Sequence, residues 1–159
     1  MNRVSKLGLA AMCSVAAISV GIAQNGPQSP EQQAQNAVKL RKAVFDVQAY
    51  SFAPLGAMLK RAMPFNAEVA ETAAKRIEMT SSLIPEVFKF DTRKFMVETK
   101  ARDGIWTNKA DFDQKAKDLQ TAAQNLESAA MSGDQSATLR AAGAVGKACG
   151  SCHDEFRNK

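Results

Sequence analysis

The sequence predicts an all-α fold, an antiparallel four-helix bundle. Three observations carry that expectation. Ala is abundant, and nine Gly and five Pro in 159 residues leave few helix breakers. Apolar residues recur at helical spacing along most of the chain after residue 30. Pro64, Pro85 and Ser132-Gly133-Asp134 mark ends between those stretches. Aromatic residues are only 6% of the chain, so the side-chain core is thin. A thin core suits a bundle that encloses something large.

Residues 1–23 read as a signal peptide. Arg3 and Lys6 supply the positive start, Leu7 to Ile22 is an apolar run, and Gly21-Ile22-Ala23 ends it with small residues. Cleavage is expected after Ala23, which also removes Cys13. An uncleaved anchor is the alternative, but the run is short for a membrane span, and polar residues with two prolines follow it. Residues 24–30 read as a flexible lead-in and 31–159 as one bundle domain. Export through such a leader implies the periplasm, and no membrane attachment after cleavage. Without Arg3 and Lys6 the 21 Lys and Arg become 19 against 16 Asp and Glu, a formal +3. The charges are mixed along the chain, which speaks for solubility and against a nucleic-acid partner.

The first helix is expected from Glu31 to Met63, with Ala37, Leu40, Val44, Val47 and Phe52 on its apolar face. Pro54 should bend it and Pro64 end it. The second runs from Asn66, a plausible N-cap, to Leu83, with Val69, Ala73, Ile77 and Thr80 buried and Pro85 as its stop. From Pro85 to Thr107 the pattern breaks down. Phe88, Phe90, Phe95 and Trp106 should tie down that long connection. The third helix starts near Asn108, and Phe112, Ala116, Leu119, Ala123, Leu126 and Ala130 form its seam. Ser132-Gly133-Asp134 separates it from a fourth. There Leu139, Ala142, Gly146, Cys149, His153 and Phe156 follow spacings of three and four. Gly143 and Gly146 weaken that helix. Either a flat group approaches the backbone there, or a neighbouring helix does.

Cys149-Gly150-Ser151-Cys152-His153 is C-x-x-C-H, the attachment sequence of a c-type haem. The spacing follows from the chemistry. Each thiol adds across one vinyl group, and Cys residues three apart project to the same side of a helix. The adjacent His153 is then aimed at the iron, which neutral imidazole binds well. Competing readings are weaker. A thioredoxin-like pair needs a βαβ pattern, and a zinc site needs further ligands. His153 is the only His in the sequence, so two His ligands within one chain are excluded. Met is the other common sixth ligand, with Met58, Met63, Met79, Met96 and Met131 as candidates after the leader.

The chain resembles the cytochrome c′ family, the class II c-type cytochromes. The resemblance runs over roughly residues 37–159. It rests on four helices with C-x-x-C-H near the C-terminus and on Cys149-Gly150-Ser151-Cys152-His153-Asp154-Glu155-Phe156-Arg157, similar to the family's C-x-x-C-H-x-x-aromatic-Arg ending. Ala37-Val38-Lys39-Leu40-Arg41-Lys42-Ala43-Val44-Phe45 is similar to the family's first-helix motif. The resemblance implies one covalent haem c. It implies Arg41 near a propionate, Phe45 covering the distal face, and Arg157 in the proximal pocket beside His153. Read from the sequence alone, Arg41 and Arg157 are equally well ordinary solvated charges, and Phe45 ordinary core.

Because Phe cannot bind iron, the resemblance implies a five-coordinate, high-spin haem that takes nitric oxide or carbon monoxide. The alternative is a one-electron carrier between periplasmic redox partners, which a Met at position 45 would have favoured. An enzyme is not expected, since no distal His and no acid–base pair accompany Phe45. Dimers formed through the first two helices are common in the family, so a homodimer is expected.

Overall fold

The computed structural model describes residues 28–159. The expected signal peptide, residues 1–23, and most of the expected lead-in segment lie outside the described residues. The four expected helices are α1 (Pro30–Leu59), α2 (Ala67–Val87), α4 (Lys109–Met131) and α5 (Gln135–Phe156), with a one-turn α3 (Gly104–Thr107) before α4. Around the bundle α1 packs on α2, α2 on α4, α4 on α5, and α5 back on α1.

Local chemistry sets most of the boundaries. Ser29 caps α1 through a capping box: its hydroxyl accepts from Gln32 N, and the Gln32 side chain accepts from Ser29 N. Pro30 is therefore the first helical residue, where a missing N–H costs nothing, and not part of the lead-in. At the other end α1 stops four residues short of the expected Met63. A Schellman turn closes it, with Ala62 N donating to Ala57 O and Arg61 N to Met58 O. Arg61 takes the left-handed position of that turn, at φ 58°. A side chain there is strained, so Arg61→Gly should raise stability by about 0.5–1 kcal/mol in chemical denaturation.

The buried face of α1 departs from expectation. Leu40 and Val47 are exposed, at 54% and 44%. The face turned inward carries Ala34, Val38, Arg41, Val44, Gln48, Ser51, Leu55 and Met58. Three of those eight are polar. Of the five residues expected on the apolar face, Val44 is buried and Ala37 and Phe52 are half-buried, so the expectation erred at Leu40 and Val47 and missed the polar members of the inward face.

Pro85 does not stop α2, which runs through it to Val87. Proline removes only its own N–H, here one bond in the last turn. That turn is held from outside, by the burial of Ile84 and Phe88 and by Arg41 Nε donating to Val87 O at 3.0 Å. The connection after α2 is tied down as its aromatics suggested. Trp106 Nε1 donates to Phe88 O at 3.0 Å, and the Phe90 and Phe95 rings stack at 5.6 Å. Its end pairs with the C-terminus. Arg102 N donates to Phe156 O, and Asn158 N to Lys100 O. Sequence periodicity gave no sign of α3, because a single turn is too short to show one.

In α4 all six expected seam residues, Phe112 through Ala130, are buried. Phe112 meets Phe88 and Phe156 edge-on, at 5.0 and 5.3 Å. Gly133, at φ 73°, turns the chain into α5, where the Asp134 carboxylate accepts from Ala137 N. No described helix is long and apolar enough to cross a membrane.

Candidate functional site in the seam between α1 and α5

A cavity of about 620 Å³ lies within the bundle, mostly apolar in its lining. Its walls come chiefly from α1 and α5. Arg41, Phe45, Gln48 and Phe52 recur every three or four residues along α1, so one face of that helix supplies them all. Ala148, Cys149, Cys152, His153, Phe156 and Arg157 face them from the end of α5 and just beyond it. Ile77, Ile84 and Phe88 close the side toward α2, and Phe112, Ala116 and Leu119 the side toward α4. All six residues singled out in the sequence thus line one space.

Each contributes a distinct chemistry. Cys149 and Cys152 are half-buried free thiols, not joined to each other. Burial pushes both up, Cys152 to about 11, despite the nearby Lys115 ammonium. The thiols therefore stay protonated at neutral pH. His153 is half-buried, and desolvation lowers its pKa, helped by the Arg157 charge and opposed by Asp154. That favours the neutral ring, the form that binds a metal.

Arg41 is only 3% exposed, so it is not a solvated charge. Nε donates to Val87 O, Nη1 to Thr92 Oγ1 at 2.9 Å, and Nη2 to Phe90 O at 2.6 Å. Its guanidinium carbon also lies 4.5 Å from the Phe88 ring centre and 5.2 Å from that of Trp106. Burial pushes the guanidinium down to about 10, and Asp91 pulls it back up. It remains charged at neutral pH. Phe45 is half-buried and packs 6.2 Å from Phe88. Arg157 is exposed at the cavity's rim.

Two residues at the site were not singled out from the sequence as site residues for the reasons the geometry gives. Phe52 enters the cavity over Gly146, where a Cβ would come 3.1 Å from its Cζ. Gly146 therefore makes room for a neighbouring helix's side chain, while nothing approaches the Cβ position of Gly143. Gln48 is buried, and its Nε2 has no hydrogen-bond partner. Both lie at helical spacing from Phe45, three and seven residues on, which is the signal that could have found them. None of Met58, Met63, Met79, Met96 and Met131 lines the cavity. Met79, Met96 and Met131 are exposed, and buried Met58 turns its sulfur to Asn66 N at 3.3 Å.

An all-helical bundle whose last helix brings a C-x-x-C-H sequence to an apolar cavity belongs to the class of c-type haem bundles. Comparison narrows the class. The profile of the family described as Cytochrome C' matches residues 36–157, and the chain belongs to the cytochrome c′ family. It is 34% identical over 131 residues to cytochrome c-554 of Cereibacter sphaeroides, covering 80% of this chain and 97% of the relative. It is 35% identical over 128 residues to a cytochrome c' of the same species, covering 79% and 85%. The structure of cytochrome c prime from Shewanella frigidimarina superposes with a TM-score of 0.73 at 36% identity, covering 79% of this chain and 97% of that one. A nitric oxide complex of a mutant cytochrome c prime from Alcaligenes xylosoxidans gives 0.70 at 29% identity, covering 79% and 96%.

The family's cofactor is a covalent c-type haem. The site fits such a group on its own chemistry. Its volume lies in the range of roughly 300–1,000 Å³ typical of sites that enclose a ligand. Two unpaired thiols three residues apart and one neutral imidazole share a wall of it.

Proposed function

We propose that this chain is a periplasmic haem protein that binds a small gas, nitric oxide or carbon monoxide, at an iron with one position left open. The observation that carries the reading is that no methionine among the described residues lines the cavity, together with the single His of the sequence. Cys149 and Cys152 hold the haem by thioethers, and His153 ligates its iron. When bound, the haem supplies an iron that takes a diatomic gas at its free position. Phe45 covers that side and, with Phe52, keeps it largely apolar, which disfavours hydrated anions.

Arg41 commits three of its five N–H groups to the loop after α2 and keeps two for a propionate. Arg157 stands beside His153 on the opposite side. Its charge favours the neutral imidazole. With haem bound, Phe45 would crowd the side it covers and leave the side of His153 and Arg157 as the less obstructed approach for nitric oxide, so that His153 would be the ligand it replaces. Titration of the reduced protein with nitric oxide tests this: a five-coordinate nitrosyl spectrum is expected, and a persistently six-coordinate one would refute proximal capture. The same methionine-free lining speaks against specialisation as an electron carrier. Neither reading requires catalysis.

The homodimer has support in the surface. Leu40, Val47 and Tyr50 are exposed on α1, and Met79 and Leu83 on α2. Arg76 of α2 reaches toward the Tyr50 ring, at 5.9 Å, so the two sets adjoin. Val47→Lys should convert a dimer into a monomer in sedimentation velocity, with the haem spectrum unchanged.

A further inference from the structure

The lining of the cavity contains one feature that an apolar gas pocket does not need. Gln48 is 9% exposed, and its Nε2 donates to nothing in the protein. It sits on the cavity face of α1, one turn from Phe45 and one from Phe52. The other polar or charged side chains that line the space are accounted for differently. Arg41 is buried but partnered, donating to Val87 O at the end of α2 and to Phe90 O and Thr92 Oγ1 in the loop that follows. Lys42, Asp46, Lys100 and Arg157 are exposed, and Thr99 and Lys115 are half-exposed. Gln48 is therefore the buried polar side chain of this lining that lacks a partner.

Leaving a buried amide unsatisfied is costly, whereas a Leu or Met of similar size would fill the same place without cost. Such an orphaned donor gains that cost back when a ligand brings it an acceptor. We infer that Gln48 Nε2 is the hydrogen-bond donor for a diatomic ligand held on the Phe45 side of the haem, acting on the ligand's outer atom. The inference rests on the gas-binding reading above and sharpens it. The pocket selects ligands by polarity as well as by size. A diatomic whose outer atom gains negative charge on binding is held longer than an apolar wall alone would hold it. Phe45 restricts entry, and Gln48 sets residence.

Carbon monoxide is the probe, added to the reduced haem-loaded protein and followed by infrared spectroscopy and by dissociation kinetics. In Gln48→Leu the C–O stretch should move to higher frequency. Carbon monoxide should leave about two to ten times faster, the equivalent of one ordinary hydrogen bond. Covalent haem attachment, read by haem staining after denaturing electrophoresis, should be retained, since Cys149 and Cys152 are unaltered. Gln48→Met, which keeps the side chain's length and removes its donor, should behave like Gln48→Leu and guards against a packing defect in either variant. Unchanged stretch and dissociation rate in both variants would overturn the role of Gln48 while leaving gas binding intact. A parent protein that fails to bind carbon monoxide at all would overturn gas binding itself.

Discussion

Cys149→Ser combined with Cys152→Ser should yield a chain with no covalently attached haem. Denaturing electrophoresis followed by haem staining would show no coloured band, and the intact mass would fall by that of the haem beyond the two substitutions. The reason is chemical. A hydroxyl does not form the thioether that each thiol forms, and the two thiols are the only cysteines among the described residues. Each single variant should keep one thioether and a weaker stain. The double variant should also be less stable, because the apolar walls of the cavity, including Phe45, Phe52, Ile77 and Leu119, would lose the group they close around. His153→Ala should differ from both. It keeps the covalent haem but changes its spectrum, because attachment and ligation rest on different atoms.

The second large effect is expected at Arg41, and it concerns the fold as much as the site. Arg41→Leu would leave Val87 O, Phe90 O and Thr92 Oγ1 without their donor and would remove a desolvated cation from above Phe88. Charge-assisted bonds of this kind and a buried cation–π contact together make the loss about 4 kcal/mol in urea unfolding. Arg41→Lys should recover only part of it, because an ammonium cannot span three acceptors with the geometry of a planar fork. The loop after α2 would loosen first, seen as faster amide exchange at residues 88–95. If Arg41 also holds a propionate, the haem's reduction potential should shift in Arg41→Lys even where the fold is retained.

These two residue sets differ in how plainly the sequence displayed them. The C-x-x-C-H motif is contiguous, and its spacing is dictated by covalent chemistry, so it could be read directly. Helix α4 was equally plain, since its buried positions are all apolar and repeat as a helix requires. Helix α1 was not. Its inward face includes Arg41, Gln48 and Ser51, while Leu40, Val47 and Tyr50 lie outside. The exchange has a physical cause on each side. Arg41 is inside because three acceptors from the α2 end and the following loop, forty-six to fifty-one residues away, converge on it. Such a partnership leaves no local trace. The exposed Tyr50 is met by Arg76 of α2, 5.9 Å from its ring, a neighbourhood that only the packing of α1 on α2 reveals.

The course of α2 past Pro85 was hidden for the same reason. The proline signal is local, and what carries the turn through it is tertiary: two buried apolar residues and one guanidinium. Gln48 illustrates the limit most sharply. In sequence it is one polar residue on a helix. Only the cavity shows that its amide is enclosed, unpartnered and one turn from Phe45.

In the proposed function, His153 is the one protein ligand of the haem iron. The most direct test is the electron paramagnetic resonance and absorption spectrum of the purified, oxidised protein at neutral pH. A five-coordinate, high-spin ferric haem is predicted. A low-spin, six-coordinate spectrum with the signature of a sulfur ligand would mean that a methionine reaches the iron, and would contradict the account.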